Sequence, residues 1–328
     1  MEKIKTAVIG AGNMGANHMR IYKALAYMCE LTGVFDTDTD RCAEMARRYD
    51  VEAFDRLDAV WARADAVSIA VPTVDHFDVA GEALDHGVHV LLEKPVAETI
   101  GQGETLTRMA NARGLTLQIG HVERFNPAVQ VLPDILCGKT VIGLDFRRMS
   151  PYDPRIRDVG VVYDLMIHDI DVLRSLLPAG VVDIHAYGSS PRSGGHTDYA
   201  AASLMLEGGV IATLTASRVT EQKVRILTIT TDQAYIELDY IDREITVARA
   251  TQGHFMDGSK PSYRQENIIE KVFVPNQEPL MNEIQSFLHS VEDKTPPVVG
   301  GEDGVAALVI ANRIEACIQK HNIGVDSL

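Results

Sequence analysis

Five unbroken apolar runs shape the first third of the chain: IKTAVIG, LTGVFD, DAVSIAVP, VHVLLEK and LTLQIGHV. None alternates apolar with polar, so each expects cover on both faces, as a strand inside a parallel sheet has. Helix-like segments lie between them, among them DHFDVAGEALDHG and IGQGETLTRMANARG, each closed by a glycine where a helix C-terminus favours one. Strand–helix repetition of this kind predicts an α/β doubly wound parallel sheet with right-handed crossovers, closing near His121.

After that point the pattern changes. One helical stretch, VVYDLMIHDIDVLRSLLP, is followed by runs with period two: YAAASLMLEGGVIATLTAS, KVRILTITTD, AYIELDY and EITVARA. They predict a second, α+β domain over 122–328 with a large, mostly antiparallel sheet. GSSPRSGGHTD and TQGHFMDGSKPS read as exposed loops between its strands. Two helices finish the chain, and the last, about 302–320, is a candidate to pack back on the first domain, 1–121. A sheet with helices on one face must bury or solvate the other, which points to a homo-oligomer, a dimer or tetramer.

Bulk properties narrow the classes of function. A net charge of −15 over 328 residues argues against wrapping nucleic acid or lying on anionic lipid. No apolar stretch approaches membrane-spanning length, and MEKIK leads straight into TAVIG without a signal-peptide core, so a cytoplasmic location is expected. Cys29, Cys42, Cys137 and Cys317 are scattered without metal-ligand spacing and read as reduced thiols; no metal is expected.

The turn after the first run is VIGAGNMG, with Gly10, Gly12 and Gly15 in a G-x-G-x-x-G pattern and Asn13 and Met14 at its variable positions. A strand precedes it, a helix follows from about Met14, and a second strand ends at Asp36. That context is the Rossmann dinucleotide fold: glycine permits the tight turn and close approach to a pyrophosphate, and the helix N-terminus offers free N–H groups. Asp36, about 20 residues on, is placed to accept hydrogen bonds from the adenosine ribose. A carboxylate there repels a 2′-phosphate, DTDTD carries no adjacent arginine or lysine, and Arg41 comes only on the next helix. NAD is therefore expected rather than NADP.

In such a sheet, ligands lie beyond the carboxyl ends of the strands. Three of those ends carry unusual residues: Pro72 and Thr73, the triplet Glu93, Lys94 and Pro95, and His121 onward. A lysine at such an edge can hydrogen-bond a substrate hydroxyl, and it can equally be a solvated lysine at a strand end. In the second domain Asp164 and His168 stand at i and i+4, sharing one helix face, with Asp171 continuing the stripe. Leu165, Leu173, Leu176 and Leu177 would face the core. An imidazole beside a carboxylate suits a general base, a solvated polar face or a metal ligand pair; no second histidine or cysteine stands at ligand spacing.

These segments together resemble the Gfo/Idh/MocA family, named for glucose–fructose oxidoreductase and inositol dehydrogenase. AVIGAGNMG, VPTVDHFDVAGEALDHGVHVLLEKP and DLMIHDIDVL carry the resemblance over nearly the whole chain. It implies an NAD-dependent sugar dehydrogenase with Lys94, Asp164 and His168 as catalytic trio, in an active site drawn from both domains. Pro72, Thr73, His76 and Glu93 would line the nicotinamide, and the Lys94–Pro95 peptide would be cis. The chain departs from many members in carrying Met166 where they have glycine, which bears on pocket shape. Of His168 and Lys94, His168 is the first choice as base, with the reverse assignment open. A regulatory protein that binds NAD without turnover is an alternative that would not need the trio.

FRRMSPYDPRIR gathers Arg147, Arg148, Arg155 and Arg157 in an otherwise acidic chain. Arginine forks suit a diphosphate, while Asp145, Asp153 and Asp158 in the same segment are competing partners. GHVERFNPAV and RMSPYDPRIRDVGVVYDLMIHDID resemble the family's subgroup that oxidises the 3-hydroxyl of the nucleotide sugar UDP-N-acetylglucosamine, whose keto product is aminated for lipid A or related glycans. Arg124, Asn126, Arg148, Tyr152 and Arg155, with Asp164 and His168, are then the expected substrate residues. The runner-up is an inositol or simple-sugar dehydrogenase.

Overall fold

The structure, a computed structural model, describes residues 3–153, 159–192, 195–257 and 260–322. The chain divides into two compact units, Met1–Phe125 with Glu278–Val309, and Asn126–Gln277 with Ile310–Leu328.

The first unit alternates strand and helix: β1 (Ile4–Ile9), α1 (Asn13–Ala24), β2 (Cys29–Phe35), α2 (Thr39–Tyr49), β3 (Glu52–Ala53), α3 (Leu57–Trp61), β4 (Ala66–Ile69), α4 (Thr73–Asp85), β5 (His89–Glu93), α5 (Ile100–Arg113) and β6 (Leu117–Gly120). Every pairing is parallel, in the order β3-β2-β1-β4-β5-β6. All residues of β4 and β6 are buried, which is why their runs show no alternation. The order reverses between β1 and β4, so the ligand crevice is expected at the carboxyl ends of those two strands. Local signals set the helix limits. Thr99 and Gln102 form a reciprocal capping box at the start of α5, and Gly114 at φ 64° ends it.

The second unit starts with two short helices, α6 (Pro127–Gln130) and α7 (Leu132–Leu136), then β7 (Val141–Met149). A π-helical turn over Val162–Met166 leads into α8 (Ile167–Leu176). β8 (Val181–Ser189), β9 (Tyr199–Leu206), β10 (Ile211–Ser217), β11 (Val224–Thr231), β12 (Tyr235–Asp239), β13 (Glu244–Asp257) and β14 (Lys260–Val272) follow. They join β7 in one sheet, ordered β14-β13-β12-β11-β7-β10-β9-β8, antiparallel except between β7 and β10. Alternate residues such as Phe146, Leu204, Leu214, Leu227 and Ile236 are buried on its inner face. On the outer face Met205, Ile211 and Tyr235 remain exposed at 39%, 46% and 46%. The chain ends with α9 (Pro279–Asp293) and α10 (Gly301–Asn322).

Two expectations are corrected here. Over its described residues TQGHFMDGSKPS is strand: Thr251–Asp257 continue β13 and Lys260–Ser262 continue β14, with pairing maintained out to Asp257 opposite Lys260. That stretch has no period-two apolar pattern, so the ladder there is a backbone feature without a hydrophobic signature. The core stripe of the second unit's helix also differs. Val162, Met166, Ile167, Ile170 and Leu173 are buried, whereas Leu165, Leu176 and Leu177 are only half-buried. Asp169 and Asp171, at 2% and 1% exposure, lie on no solvated face. The π turn accounts for this, since one wider turn rotates the residues on either side of it out of a single 3.6-residue register.

In the first unit α9 shares a core with α1. Leu280, Ile284, Phe287 and Leu288 pack with Met19, Ile21, Tyr22 and Leu25. Gln118 of β6 donates from Nε2 to the carbonyl of Glu283 at 3.1 Å. Phe287→Ala should cost about 3–5 kcal/mol, read as a lower urea midpoint with unchanged slope.

Candidate active site

The glycine loop is built by three different constraints. Gly10 has φ 93°, and a Cβ on it would overlap the carbonyl oxygen of Ala70. A Cβ on Gly15 would overlap the carbonyl of Gly10, so helix and strand can meet only with glycine there. Gly12 is the exception: a Cβ there would touch nothing within 4 Å. Its bareness serves open space, which is where a pyrophosphate would approach. Gly12 also caps α1 without a side-chain hydrogen bond, and no acidic residue occupies the first turn. The N–H groups at Asn13, Met14 and Gly15 are thus left to an anion. These features fit the dinucleotide expected from the sequence.

Asp36 follows β2 directly and is 7% exposed. Oδ2 accepts from the N–H of Ala11 at 2.6 Å and Oδ1 from that of Asp38 at 2.8 Å. The expectation that no cation stands beside it is corrected. Arg41, in the first turn of α2, folds back and donates from Nε at 3.1 Å and from Nη2 at 2.7 Å. Burial pushes the Asp36 carboxyl up, but the hydrogen bonds from Arg41, Ala11 and Asp38 outweigh it and hold the group below the usual carboxylate range.

At the carboxyl edge of β4, Pro72 caps α4 and Thr73 opens it. One turn in, His76 is 1% exposed, with Nδ1 2.8 Å from the carbonyl of Pro95 and Nε2 3.1 Å from that of Val71. Burial lowers its pKa against the pull of both carbonyls, so the ring is neutral near pH 7; we assign its single proton to Nδ1, on the shorter contact. At the edge of β5, Glu93 Oε1 meets His18 Nε2 at 3.1 Å, and the Lys94 N–H lies 3.4 Å from Oε2. Burial pushes Glu93 up, but the hydrogen bond from His18, with the electrostatic pull of His18 and Lys94, brings it below its ordinary value. Gly120 stands opposite on β6, where a Cβ would crowd the Glu93 carboxylate at 3.1 Å. The Lys94–Pro95 peptide is cis. His18, 0% exposed, was not singled out in the sequence, although its place one turn beyond Gly15 on the α1 face carrying Met19 and Tyr22 was a usable signal.

Arg124 is 13% exposed at its side chain and sits 3.6 Å from Asp303 in the first turn of α10. Asn126 is 1% exposed, caps α6 through Ala128 N–H at 3.1 Å, and donates to the Tyr240 carbonyl at 3.2 Å.

In the second unit, Asp164 lies in the π turn, half-buried, with Arg218 Nη2 3.8 Å from Oδ2. Arg218, 3% exposed, also donates to the Val159 carbonyl at 2.7 Å and is a second buried residue the sequence did not single out. His168 is half-buried in the first turn of α8. The expected i, i+4 face thus runs across a junction of π and α geometry. The arginine segment separates. Arg147 pairs with Asp145 on the outer sheet face at 3.4 Å, while Arg148 points inward. Arg148 is 2% exposed, donates to Asp169 from Nε at 3.0 Å and Nη2 at 2.7 Å, and lies 5.1 Å from the Tyr240 ring centroid. Tyr152 has Arg192 over its ring at 5.6 Å, and Arg155 and Arg157 lie outside the described residues.

Comparison with known proteins agrees with this architecture. Residues 4–121 match the oxidoreductase family with the NAD-binding Rossmann fold, and residues 142–237 match the GFO/IDH/MocA C-terminal domain. The UDP-N-acetylglucosamine 3-dehydrogenase of Acidithiobacillus ferrooxidans is 35% identical over 324 residues, covering 98% of this chain and 100% of that protein. Its solved structure superposes with a TM-score of 0.88 at 33% identity, covering 98% of this chain and 99% of that one. The inositol 2-dehydrogenase of Rubrobacter xylanophilus is 28% identical over 202 residues, covering 59% of this chain and 58% of that protein.

The shifted groups set the response to acid. A histidine whose folded-state pKa lies below its ordinary value of about 6.5 adds stability above that pH and loses it as pH falls toward the folded value. Asp36 and Glu93 contribute fully above about pH 4 and lose their contribution as pH falls through their lower folded-state values. The melting temperature of the protein should therefore begin to fall from about pH 6.5. His76→Gln should reduce the loss that sets in below about pH 6.5, the remainder coming from His89, whose burial likewise lowers its pKa, while leaving the steep loss below ~4. Scanning calorimetry between those limits checks both, and a wild-type curve flat from about pH 7 to 5 would contradict a neutral His76.

Proposed function

The chain belongs to the Gfo/Idh/MocA oxidoreductase family, and we propose that it oxidises the 3-hydroxyl of UDP-N-acetylglucosamine to the ketone, using NAD. The observation that carries this reading is similarity over the full length of both proteins to an enzyme of that activity. The matched inositol dehydrogenase aligns over little more than half of each chain.

NAD would be held by the glycine loop, by the N-terminus of α1 and by Asp36, with Pro72, Thr73, His76 and Glu93 toward its nicotinamide end. Bound there, it supplies the acceptor for the hydride leaving the carbinol carbon. The hydroxyl must also lose its proton, and His168 takes it as general base, a role worth roughly 10²–10⁴-fold. Lys94 donates a hydrogen bond to the same oxygen as negative charge develops on it. Asp164 orients the His168 ring, and Arg218 stands beside that carboxylate. His18 holds the Glu93 side chain in place. Of the expected sugar-nucleotide residues, Arg124 and Tyr152 are proposed to contact substrate. Asn126 and Arg148 support the pocket from beneath through Tyr240 and Asp169. The keto product suits a subsequent amination toward lipid A or related glycans, and the free thiols of Cys29, Cys42 and Cys137 are in keeping with a cytoplasmic site.

Self-association through the outer face of the second sheet is part of this reading. Met205 pairs with Ile211, Ile211 with Gly143, Gly143 with Thr230 and Thr230 with Tyr235, forming one row across five strands. Its exposed apolar side chains are what a second copy would cover. Sedimentation should show a dimer or tetramer, and Met205→Glu with Ile211→Glu should shift it toward monomer.

The activity itself is tested by following NADH formation with UDP-N-acetylglucosamine, free N-acetylglucosamine and myo-inositol. Turnover is expected with the nucleotide sugar. Turnover of inositol alone would replace this reading by the inositol dehydrogenase one, and no turnover with NADH still binding would favour a regulatory protein. Lys94→Ala and His168→Ala should each lower kcat by about 10²-fold or more with NADH affinity retained.

A further inference from the structure

The carboxylate of Asp36 is fully subscribed. A carboxylate offers about four lone-pair positions. Oδ1 accepts from the Asp38 N–H and from Arg41 Nη2, and Oδ2 accepts from the Ala11 N–H and from Arg41 Nε. Two of these donors are backbone groups of the loops that shape the site, and they cannot leave without opening it. The other two belong to one side chain that is 45% exposed. Ribose hydroxyls can reach Asp36 as donors only where Arg41 withdraws. Withdrawal is easy for this arginine, because Asp38 Oδ2 lies 3.7 Å from its Nη1 and offers a second, half-exposed carboxylate.

We propose that Arg41 is a determinant of cofactor choice acting through Asp36. In the empty protein its guanidinium occupies the positions that the ribose hydroxyls need. An incoming ribose diol displaces it and takes over its two hydrogen bonds on Asp36. A ribose 2′-phosphate carries no hydrogen to donate and brings charge of the same sign, so it cannot make that exchange. The guanidinium would nonetheless suit a phosphate, through the same planar pair of N–H groups that now grips a carboxylate. Asp36 thus does two things: it selects NAD, and it keeps a ready phosphate ligand engaged elsewhere. Removing the carboxylate should release Arg41 to the 2′-phosphate. This inference rests on the NAD site and not on the identity of the sugar.

The test is equilibrium binding of NADH and NADPH to the sugar-free protein, read from the fluorescence of the reduced nicotinamide. The proteins are wild type, Arg41→Ala, Asp36→Ser and the double variant. Arg41→Ala should bind NADH roughly three- to fivefold more tightly than wild type, the scale of a half-exposed ion pair no longer to be displaced. Its affinity for NADPH should stay weak. Asp36→Ser should bind NADPH at least about tenfold more tightly than wild type, and the double variant should lose that gain. Equal NADPH affinity in Asp36→Ser and the double variant would remove Arg41 from phosphate recognition. NADH affinity in Arg41→Ala at or below wild type would overturn the displacement. Arg41 is solvent-facing, so that arm stands even where the Asp36 variant folds poorly.

Discussion

The nucleotide half of the molecule hangs on the hydrogen bond from the Ala11 N–H to Asp36. Alongside it, the Gly10 N–H donates to the Phe35 carbonyl at 2.8 Å, so the glycine loop is tied to the end of β2 by backbone and side chain together. A buried carboxylate left without donors is costly, and so is a buried N–H without an acceptor. Each therefore enforces the other, and the loop cannot drift without stranding both. From that anchor the rest follows in order. Gly10 turns at positive φ, Gly12 stays bare, and α1 begins with its N–H groups uncapped. The proposed anion and ribose positions are thus consequences of one local geometry.

The second unit has its own anchor in the pair of Arg148 and Asp169. Both side chains are almost fully buried, and the bond joins the middle of the sheet, at β7, to α8. A pair this deep adds little net stability over apolar packing, yet breaking one partner leaves a naked charge. What it fixes is rotation. With Asp169 held, α8 cannot turn about its axis, and His168 beside it and Asp164 in the preceding π turn keep their directions. A buried ion pair thereby fixes the directions of the two side chains proposed as base and orienting carboxylate.

Much of this was legible in the order of residues. The unbroken runs, the three glycines and Asp36 declare the first sheet and its ligand edge because each depends on local rules that a single sequence carries. The period-two runs declare the second sheet for the same reason. What stayed hidden depended on partners distant in sequence. Arg41 reads as a helix residue until α2 folds it onto Asp36, and His18 goes unmarked until β5 brings Glu93 to it. The π turn was illegible for another reason, since it alters the register that a helical reading assumes. The outer part of the β13–β14 ladder left no trace because backbone pairing needs no apolar pattern.

The arginine segment shows how far a cluster in sequence can differ from a cluster in space. Successive residues on a strand face opposite ways. Arg147 therefore joins Asp145 on the outer face of β7, and Arg148 enters the core to meet Asp169. The two cannot grip one diphosphate, however close they stand in the chain, and each already has a carboxylate. Competition from nearby aspartates was one of the two readings open at the outset, and for Arg147 it is the one realised; for Arg148 the competitor comes from a helix instead. The case for a nucleotide sugar accordingly does not draw on this pair. It draws on similarity that spans both units of the chain, and on a glycine loop, an uncapped α1 N-terminus and an Asp36 carboxylate whose geometry fits the proposed dinucleotide site.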